Sequence, residues 1–350
     1  GAVAAETQNG RLCPKRKVFH RFPAALPRAE ALPHSGRMDP EFLFAADAEH
    51  AGVNRRQIAL RCASGELVRV RPGVYVRSEF WQKLPKWDRD HVRILAAVEQ
   101  GRSPRILVQQ SAAVIWGIPV IGGSSEILLL ASDSSHGRRR GELRWTTRRL
   151  LEPVTSRNGL QLTSRAQTVL DMAAYLPFER AVPAMDHVLR PDPGQRHPPL
   201  TKDALRELSL LLPDQAKRAR ALRVIDFADS NSQSPGESYS RAKLHRFGFP
   251  PPELQHEVIT PAGRFRTDFY WKKHRLVGEF DGAVKYGANG SMLAPTWETL
   301  TNEKRREDAI RATGAAFVRW SWGNITKSPQ DPDGLVQRLV RAGLPRSRRG

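Results

Sequence analysis

The sequence is poor in cysteine and has no long apolar run. Its two cysteines, Cys13 and Cys62, lie in unrelated contexts, which excludes a disulfide framework and a cysteine-based zinc site. The longest apolar candidate, residues 127–130, has the length of a strand and falls far short of the roughly 20 residues of a membrane span. The opening segment lacks the apolar stretch of a signal peptide. We therefore expect a soluble, cytoplasmic protein with no membrane partner.

Acidic residues are also scarce. The chain has 36 Asp and Glu against 56 Lys and Arg, a formal net charge of +20, and its pI is about 10.8. Such a balance favours a polyanionic partner through steering and counterion release. The basic residues form clusters, such as Arg138-Arg139-Arg140 and Lys304-Arg305-Arg306, whereas a general composition bias would spread them evenly. The charge predicts a nucleoid-associated protein whose partner is DNA.

A chain of 350 residues has room for two or three domains. Residues 1–37 are rich in Pro, Ala and basic residues and show no sustained period, which predicts a disordered extension. The fold class we expect is α/β, with an α+β arrangement overall. The remaining segments are a winged helix-turn-helix at 38–86, a mixed α/β region at 87–190, a linker with helices at 191–229, a second α/β core at 230–325 and a basic tail at 326–350.

Two short helices joined by a tight turn are predicted near residue 50. Residues 42–51 suit a short helix, which Gly52 stops. Asn54 is placed to cap a second helix over residues 55–63, and Gly65 ends that helix. This pattern is typical of a helix-turn-helix.

Two strands around a turn follow the second helix. Residues 67–71 and 74–76 have strand character and enclose Pro72-Gly73, which is the pattern of a wing. In a winged helix, the second helix offers its N-terminal end to the major groove and the wing lies near the backbone. A winged helix used only for protein contacts is the alternative. The residues to which we assign DNA contacts are Arg55, Arg56, Gln57, Arg61, Arg69 and Arg71.

The order of these elements, with Gly52-Val53, Gly65-Glu66-Leu67 and Arg71-Pro72-Gly73-Val74-Tyr75 at the junctions, resembles the N-terminal domain of AbiEi-type antitoxins. These proteins are winged-helix regulators of abortive-infection systems. The region at 87–190 is similar to the part that follows in those proteins. The resemblance implies DNA binding, and it allows a toxin or a second copy of the chain as the protein partner. It does not by itself imply antitoxin activity.

The acidic residues between Gly236 and Tyr286 fall on predicted helix and strand positions. Glu237 stands near the start of a helix that Ser234 is placed to cap, and Asp268 lies within a strand. Glu279 and Asp281 are two residues apart in the next strand and therefore share one face. Carboxylates are disfavoured in strands. A hard divalent cation, Mg²⁺ or Mn²⁺, accounts for them because Mg²⁺ binds through one or two carboxylates, water and phosphate.

The acidic stretch belongs to a helix, three strands, a basic helix over residues 297–311 and a last strand over 316–320. This α-β-β-β-α-β order, with Glu237, Asp268 and Glu279 in place, resembles the PD-(D/E)XK nuclease superfamily. The closest resemblance is to its branch related to very-short-patch-repair endonucleases. It implies a restriction-endonuclease-like core. The three strands between the helices are predicted at 254–259, 264–271 and 276–281.

The resemblance implies a Mg²⁺-dependent DNA endonuclease acting in phage defence or DNA repair. Its carboxylates would hold the ion, which activates water and stabilises the pentacoordinate phosphate. Asp281 stands where the superfamily pattern has lysine, and Lys285 is expected to take over that role. An antitoxin-like regulator with a catalytically inactive nuclease-like domain is the alternative. The residues assigned to catalysis are Glu237, Asp268, Glu279, Asp281 and Lys285, and the four acids are also the assigned metal ligands.

The predicted basic helix carries two further DNA-contact candidates. Lys304 and Arg311 are seven residues apart and share one helix face, which would let them follow a phosphate backbone. A solvated face of mixed charge is the alternative. We interpret Trp271, Trp320 and Trp322 as packing residues.

Overall fold

The computed structural model of this protein describes residues 40–101, 104–131, 137–191, 197–282 and 297–347. Within these ranges the chain forms sheets of three, six and four strands, each accompanied by helices. The prediction of a mixed α/β fold is therefore confirmed. The expected extension at 1–37 and the predicted site residue Lys285 lie outside the described residues.

The N-terminal part is built from two helices and a three-stranded sheet in the order β1-β3-β2. Asn54 caps the second helix through a capping box, in which its side chain and that of Gln57 each accept a backbone N–H of the other residue. Ala48, Ile58 and Leu67 are buried between these elements. The elements are β1 Leu43–Phe44, α1 Ala45–His50, α2 Arg55–Ala63, β2 Leu67–Arg71 and β3 Val74–Arg77.

The first helix is shorter than the sequence pattern predicts. Leu43 and Phe44 pair with Tyr75 and Val74 of β3, so α1 begins at Ala45 and not at Phe42. Leu43 and Phe44 fit the apolar pattern of either a helix or a strand. Pairing with β3 of the wing makes them a strand.

The middle part has a six-stranded mixed sheet in the order β6-β7-β5-β4-β9-β8. Helix α4 lies next to α5, and Ile94, Leu107, Ile115 and Leu129 share one buried cluster. Asp88 lies in the first turn of α4, where Pro85 holds the cap position. The elements are α3 Ser78–Lys83, α4 Lys86–Glu99, β4 Ile106–Leu107, α5 Gln109–Trp116, β5 Ile127–Leu130, β6 Arg138–Arg140, β7 Leu143–Thr146, β8 Thr155–Arg157 and β9 Leu160–Leu162.

Four more helices pack together beyond the sheet. They are α6 Arg165–Tyr175, α7 Phe178–Leu189, α8 Lys202–Ser209 and α9 Gln215–Phe227. Leu205 and Val224 share a buried core with Met172 and Met185. The helices of the predicted linker segment at 191–229 therefore belong to the core of the middle part, because their apolar faces are covered by α6 and α7.

The C-terminal part has a four-stranded sheet in the order β10-β11-β12-β13. The first three strands are antiparallel, and β13 runs parallel to β12. The element order is the α-β-β-β-α-β order that the sequence predicts. Its elements are α10 Pro235–Arg246, β10 Glu253–Thr260, β11 Gly263–Trp271, a 3₁₀ turn at Lys272–His274, β12 Leu276–Asp281, α11 Trp297–Ala312, β13 Ala316–Ser321, α12 Trp322–Ile325 and α13 Leu335–Arg341.

Both faces of this sheet are covered. Phe269, Trp271 and Trp320 are buried on one face, and Val277 packs with Ile310 of α11 on the other. The packing role expected for Trp271 and Trp320 is confirmed. The segment at 326–350 was expected to be a basic tail. Its described part instead includes α13, whose Leu335, Val336 and Leu339 are buried against the sheet, because these apolar residues face one side of a helix.

A buried ion pair connects the middle part to helix α10. The Arg241 guanidinium donates two hydrogen bonds to the Asp186 carboxylate, at 2.8 and 2.9 Å, and a third to the Phe227 carbonyl oxygen at 2.7 Å. The Asp229 N–H donates to Asp186 Oδ1 at 2.8 Å. The two side chains are 9% and 1% exposed. Because α10 also carries Glu237, this pair holds the start of the acidic stretch on the middle part.

Asp171 of α6 gives the protein a pH-dependent stability. Burial raises the pKa of Asp171 to about 7, against the opposing effects of Arg148 and of a hydrogen bond with Gln167. A folded-state pKa above the unfolded value of about 3.9 means that the free energy of unfolding falls as the pH rises from about 4 to about 7. The charged form then costs about 4 kcal/mol above pH 7, at 1.36 kcal/mol per pKa unit.

We expect Asp171→Asn to stabilise the protein at pH 8 by up to about 4 kcal/mol. Denaturant unfolding of the parent and the variant at pH 5 and pH 8 measures this difference. The gain should shrink at pH 5. A difference between the two proteins that is the same at both values of pH would contradict the pKa assigned to Asp171.

Candidate functional site

Asp268 and Glu279 lie side by side on neighbouring strands. The antiparallel register that pairs Phe269 with Gly278 places Asp268 of β11 next to Glu279 of β12. The carboxylate of Asp268 accepts a hydrogen bond of 2.9 Å from the Phe280 backbone N–H. Side chains alternate between the two faces of a sheet. The neighbours Phe269 and Phe280 belong to the core on one face, so Asp268 and Glu279 lie on the other face, which α11 covers.

Glu237 enters the same region from the N-terminal end of α10. Its N–H donates to the Ser234 hydroxyl, which confirms the predicted cap. Its carboxylate accepts hydrogen bonds of 2.9 Å from the Gln233 N–H and from Gln255 Nε2. Gly236 holds the helix close to β12, because a Cβ at this position would lie 1.9 Å from the Phe280 ring. Any larger residue there would push Glu237 away from the sheet.

Gln255 adopts a strained conformation in β10. Its φ is +52°, in the left-handed region that costs a residue other than glycine about 1–2 kcal/mol. It lies between Leu254 and His256, which pair with Phe269 and Thr267, so it stands level with Asp268. Strain of this kind collects at functional sites. Its amide donates one of the two hydrogen bonds that hold the Glu237 carboxylate.

Two arginines reach Glu279. Arg306 of α11 donates to Glu279 Oε1 at 2.5 Å and also to the Arg266 carbonyl oxygen. Arg319 of β13 lies 3.6 Å from Glu279 Oε2. The side chain of Glu279 is 12% exposed, so this ion pair is shielded from solvent. In this arrangement the positive charge near Glu279 comes from the protein itself.

The electrostatics at Asp268 nevertheless favour an added cation. Burial and the charge of Glu237, with a smaller contribution from Glu279, raise the pKa of Asp268 to about 7, while the Phe280 N–H and Arg306 act in the opposite direction. The charged form of this carboxyl group is therefore disfavoured relative to that of an ordinary aspartate. A nearby cation would favour its charged form.

The predicted metal ligands are not gathered into one cluster. Among the described residues, no three His, Cys, Asp or Glu side chains are grouped closely enough to hold a metal ion. Hydrogen bonds from Gln233 and Gln255 hold Glu237, and the Glu279 carboxylate forms an ion pair with Arg306. Asp281 lies at the exposed end of β12. Asp268 and Glu279 are the acids whose backbones the sheet places next to each other.

The sequence interpretation missed Gln255, Arg306 and Arg319. A glutamine in a strand-like run is ordinary, so nothing marked Gln255. A signal for Arg306 was present: it precedes Ile310 by four residues, and Ile310 of α11 is fully buried. Residues four apart share a helix face, so Arg306 could have been assigned to the inner face. Arg319 pairs directly with Glu279 in the parallel register of β13 and β12.

The winged helix presents the predicted recognition residues. Arg55, Arg56 and Gln57 are exposed at the N-terminal end of α2. Gln57 Oε1 is used by the capping box, which leaves its NH₂ group for a base or a phosphate. Arg55 pairs with Glu49 at 2.7 Å while its side chain is 85% exposed, and exposed pairs of this kind are weak. Arg69 is exposed on the wing.

Arg71 does not have the exposure that DNA contact requires. It is buried, and its Nε lies 3.2 Å from Glu142 Oε1 at the turn between β6 and β7. Burial lowers the pKa of Arg71, while Glu142 raises it. The prediction for Arg71 is therefore wrong: the residue attaches the wing to the middle part. Arg61 is half-buried and pairs with Glu66 at 2.5 Å.

The two candidates on α11 are both exposed. Lys304 points away from the core, and Arg311 pairs with Glu307 at 2.7 Å and donates to the Phe317 carbonyl oxygen. Their assignment to DNA contact stays a prediction. Among the helices that the structure describes, all are too short or too polar to cross a membrane.

Comparison with known proteins bears on the N-terminal part. Residues 45–78 match the AbiEi antitoxin family of transcriptional regulators, so the chain carries an AbiEi-antitoxin-like domain there. Over 294 residues the chain is 24% identical to the uncharacterized protein Rv2248 of Mycobacterium tuberculosis H37Rv, and equally to the uncharacterized protein MT2308 of strain CDC 1551. These alignments cover 83% of this chain and 97% of each relative.

The crystal structure of the RV2827C protein from Mycobacterium tuberculosis is a weaker match. The alignment covers 63% of this chain and 84% of that one, at 14% identity and a TM-score of 0.34.

Proposed function

We propose that this protein binds duplex DNA through its winged helix and hydrolyses phosphodiester bonds at the acidic edge of its C-terminal sheet. The observation that carries the hydrolytic part is the position of Asp268 next to Glu279 on neighbouring strands, with Glu237 nearby. Burial and the neighbouring carboxylates raise the pKa of Asp268 to about 7. The observation that supports DNA binding is the AbiEi-antitoxin-like domain with its exposed Arg55 and Arg56.

The donor chemistry fits a hard divalent cation at Asp268 and Glu279. Two carboxylates with water and substrate phosphate are a normal ligand set for Mg²⁺ or Mn²⁺, and Glu237 would complete the anionic environment. When bound, such an ion lowers the pKa of water and stabilises charge on the phosphoryl oxygens. Glu279 becomes available to it only when Arg306 gives up its ion pair.

The protein's own residues would then divide the work. Asp268 and Glu279 supply negative charge at the place where the scissile phosphate has to bind. Gln255 fixes the orientation of the Glu237 carboxylate through its amide. Arg306, released from Glu279, has a guanidinium group that matches a phosphate in shape and charge. In this hydrolysis the oxygen of water would form a bond to phosphorus as the P–O3′ or P–O5′ bond breaks. One proton of the water would end on the departing oxygen, which leaves as a hydroxyl group.

Incubation of the purified chain with supercoiled plasmid tests this proposal. Nicked or linear DNA should accumulate with Mg²⁺ or Mn²⁺ and should not accumulate with a chelator. If the plasmid stays intact with Mg²⁺ and also with Mn²⁺, the hydrolytic part of the proposal is wrong.

A second candidate function is a DNA-binding regulator whose nuclease-like domain is inactive. The observation in its favour is the shielded ion pair between Glu279 and Arg306, which neutralises the acid without a metal. This function predicts DNA binding that needs no divalent ion and a plasmid that remains uncut.

Both candidates share the winged helix, so both predict the same binding result. We expect Arg55→Ala with Arg56→Ala to weaken binding of a DNA duplex of about 30 base pairs at least tenfold. The slope of log K against log salt should fall by about one unit for each phosphate contact that is lost. Fluorescence anisotropy over a salt series measures both quantities. Arg220→Ala, an exposed arginine of α9, is the control and should bind as the parent does. Undiminished binding by the double variant would contradict the role of α2.

A further inference from the structure

A hairpin of the middle part lies against the wing. Glu142, in the turn between β6 and β7, bridges Arg71 at the end of wing strand β2 and Arg93 of α4, at 3.2 and 2.9 Å. The side chain of Gln100, the C-cap residue of α4, also donates to the carbonyl oxygen of Pro72, at the tip of the wing, at 2.9 Å. These contacts fix the β6–β7 hairpin beside the tip of the wing.

The hairpin is strongly basic and exposed. Strand β6 consists of Arg138, Arg139 and Arg140, which are all exposed at the edge of the six-stranded sheet. The Arg138 guanidinium lies over the Trp145 ring of β7, with 4.3 Å between the guanidinium carbon and the ring centroid. This stacking orders a side chain that would otherwise sample many rotamers. A guanidinium held in this way still presents its edge to a phosphate.

Positive charge is in excess around this hairpin. Glu126 pairs with both Arg139 and Arg144, Glu142 is shared by two arginines, and Asp90 pairs with Arg93. Among the described residues in these contacts there are three carboxylates and seven guanidinium groups. The seven arginines are Arg71, Arg93, Arg105, Arg138, Arg139, Arg140 and Arg144.

The arginines affect one another through space. Burial lowers the pKa of Arg105, and the charges of Arg140 and Arg138 lower it further. Arg105 and Arg93 do the same to Arg71. Like charges placed this close together are unfavourable in the free protein, and a polyanion bound at the exposed Arg138, Arg139 and Arg140 would reduce the repulsion. DNA gains more from such a surface than a single anion does, since it releases a counterion for each phosphate that is neutralised.

We propose that the β6–β7 hairpin is a second DNA-contacting element, which continues the surface of the wing and holds the phosphate backbone through Arg138, Arg139 and Arg140. The inference rests on the proposed DNA binding by the winged helix. It extends the contact surface from the wing onto the middle part. The contacts are to phosphate, so they add affinity without reading the base sequence.

A charged edge strand has another explanation. Charges at a sheet edge prevent pairing with the edge of another chain. That explanation accounts for β6 alone. It does not account for the attachment of the hairpin to the wing, or for Arg105 placed close to Arg138 and Arg140.

The test replaces all three arginines of β6 with glutamine in the full chain. Arg138→Gln, Arg139→Gln and Arg140→Gln together remove three charges from an exposed edge. The control, Arg206→Ala with Arg220→Ala and Arg223→Ala, removes three charges from exposed positions of α8 and α9. The probe is a duplex of about 30 base pairs, roughly three helical turns, in two unrelated sequences. Thermal unfolding and size-exclusion chromatography confirm that each variant is folded.

We expect the β6 variant to bind both duplexes at least tenfold more weakly than the parent. The salt slope should be smaller by about two to three units. The loss should be equal for the two sequences, and the control variant should keep most of the parent's affinity and slope.

Three results would overturn the inference. They are parental affinity and slope in the β6 variant, an equal loss in the control, and self-association of the β6 variant with unchanged DNA binding, which is the outcome of the edge-protection explanation. In each case the winged-helix proposal survives if Arg55→Ala with Arg56→Ala still weakens binding. A parent that binds neither duplex overturns both proposals.

Discussion

Asp268→Asn should reduce divalent-dependent cleavage of DNA by about 10²- to 10³-fold, the order found when one group that stabilises the transition state electrostatically is removed. The substitution keeps the shape of the side chain and an oxygen that accepts the Phe280 N–H. It removes the negative charge that lies beside Glu279. The parent and the variant are compared by the initial rate of plasmid nicking with Mg²⁺ and with Mn²⁺.

Asp308→Asn is the matched control for this comparison. Asp308 is an exposed acid of α11, and its replacement should leave the rate of nicking close to the parent's. DNA binding measured with a chelator present should be the same for all three proteins. The proposed DNA-binding element is the winged helix, and neither substitution lies in it. If Asp268→Asn nicks DNA at the parental rate, the assignment of the reaction to this edge is wrong.

Asp186→Ala should lower the free energy of unfolding by about 3–5 kcal/mol, the cost of leaving one partner of a buried ion pair without the other. Arg241 is 9% exposed and would keep its charge with only the Phe227 carbonyl oxygen as a described acceptor. Denaturant unfolding at pH 7 measures the loss. Glu79→Ala, which removes an exposed pair with Lys83, should change the stability very little.

A double replacement separates the charge from the packing. Asp186→Leu with Arg241→Met removes both charges and fills most of the space, so it should recover much of the stability that Asp186→Ala loses. A loss in Asp186→Ala no larger than that in Glu79→Ala would show that water reaches this pair. The account of how α10 is held on the middle part would then be incorrect.

Local signals in the sequence were sufficient for much of the fold. Asn54 with Gln57 three residues later is a complete capping box, and the structure has it. Ser234 is likewise the cap that places Glu237 in the first turn of α10. The acids of β11 and β12 could be put on their strands because each lies inside an alternating run. These features depend on neighbours within four residues, which a sequence displays directly.

Long-range contacts account for the differences. Leu43 and Phe44 form a strand because β3 is available to pair with them. Arg71 is buried because Glu142, distant in sequence, meets it at the wing. The segment expected to be a tail folds because Leu335, Val336 and Leu339 pack against the C-terminal core. In each case the decisive partner lies outside any local window.

The candidate site shows the same division. The sequence placed Glu237, Asp268 and Glu279 on the correct elements, while the partners that control their charge come from elsewhere. Gln255 holds Glu237 and Arg306 holds Glu279. These contacts, more than the order of the acids, determine whether the edge can accept a cation.

Calorimetric titration of Mn²⁺ into the full chain tests the central claim most directly, since the proposed hydrolysis requires a divalent ion at Asp268 and Glu279. We predict saturable binding of Mn²⁺ by the parent and by the Asp308→Asn control, and loss of that binding in Asp268→Asn. Absence of binding by the parent, or equal binding by the parent and Asp268→Asn, would contradict the claim.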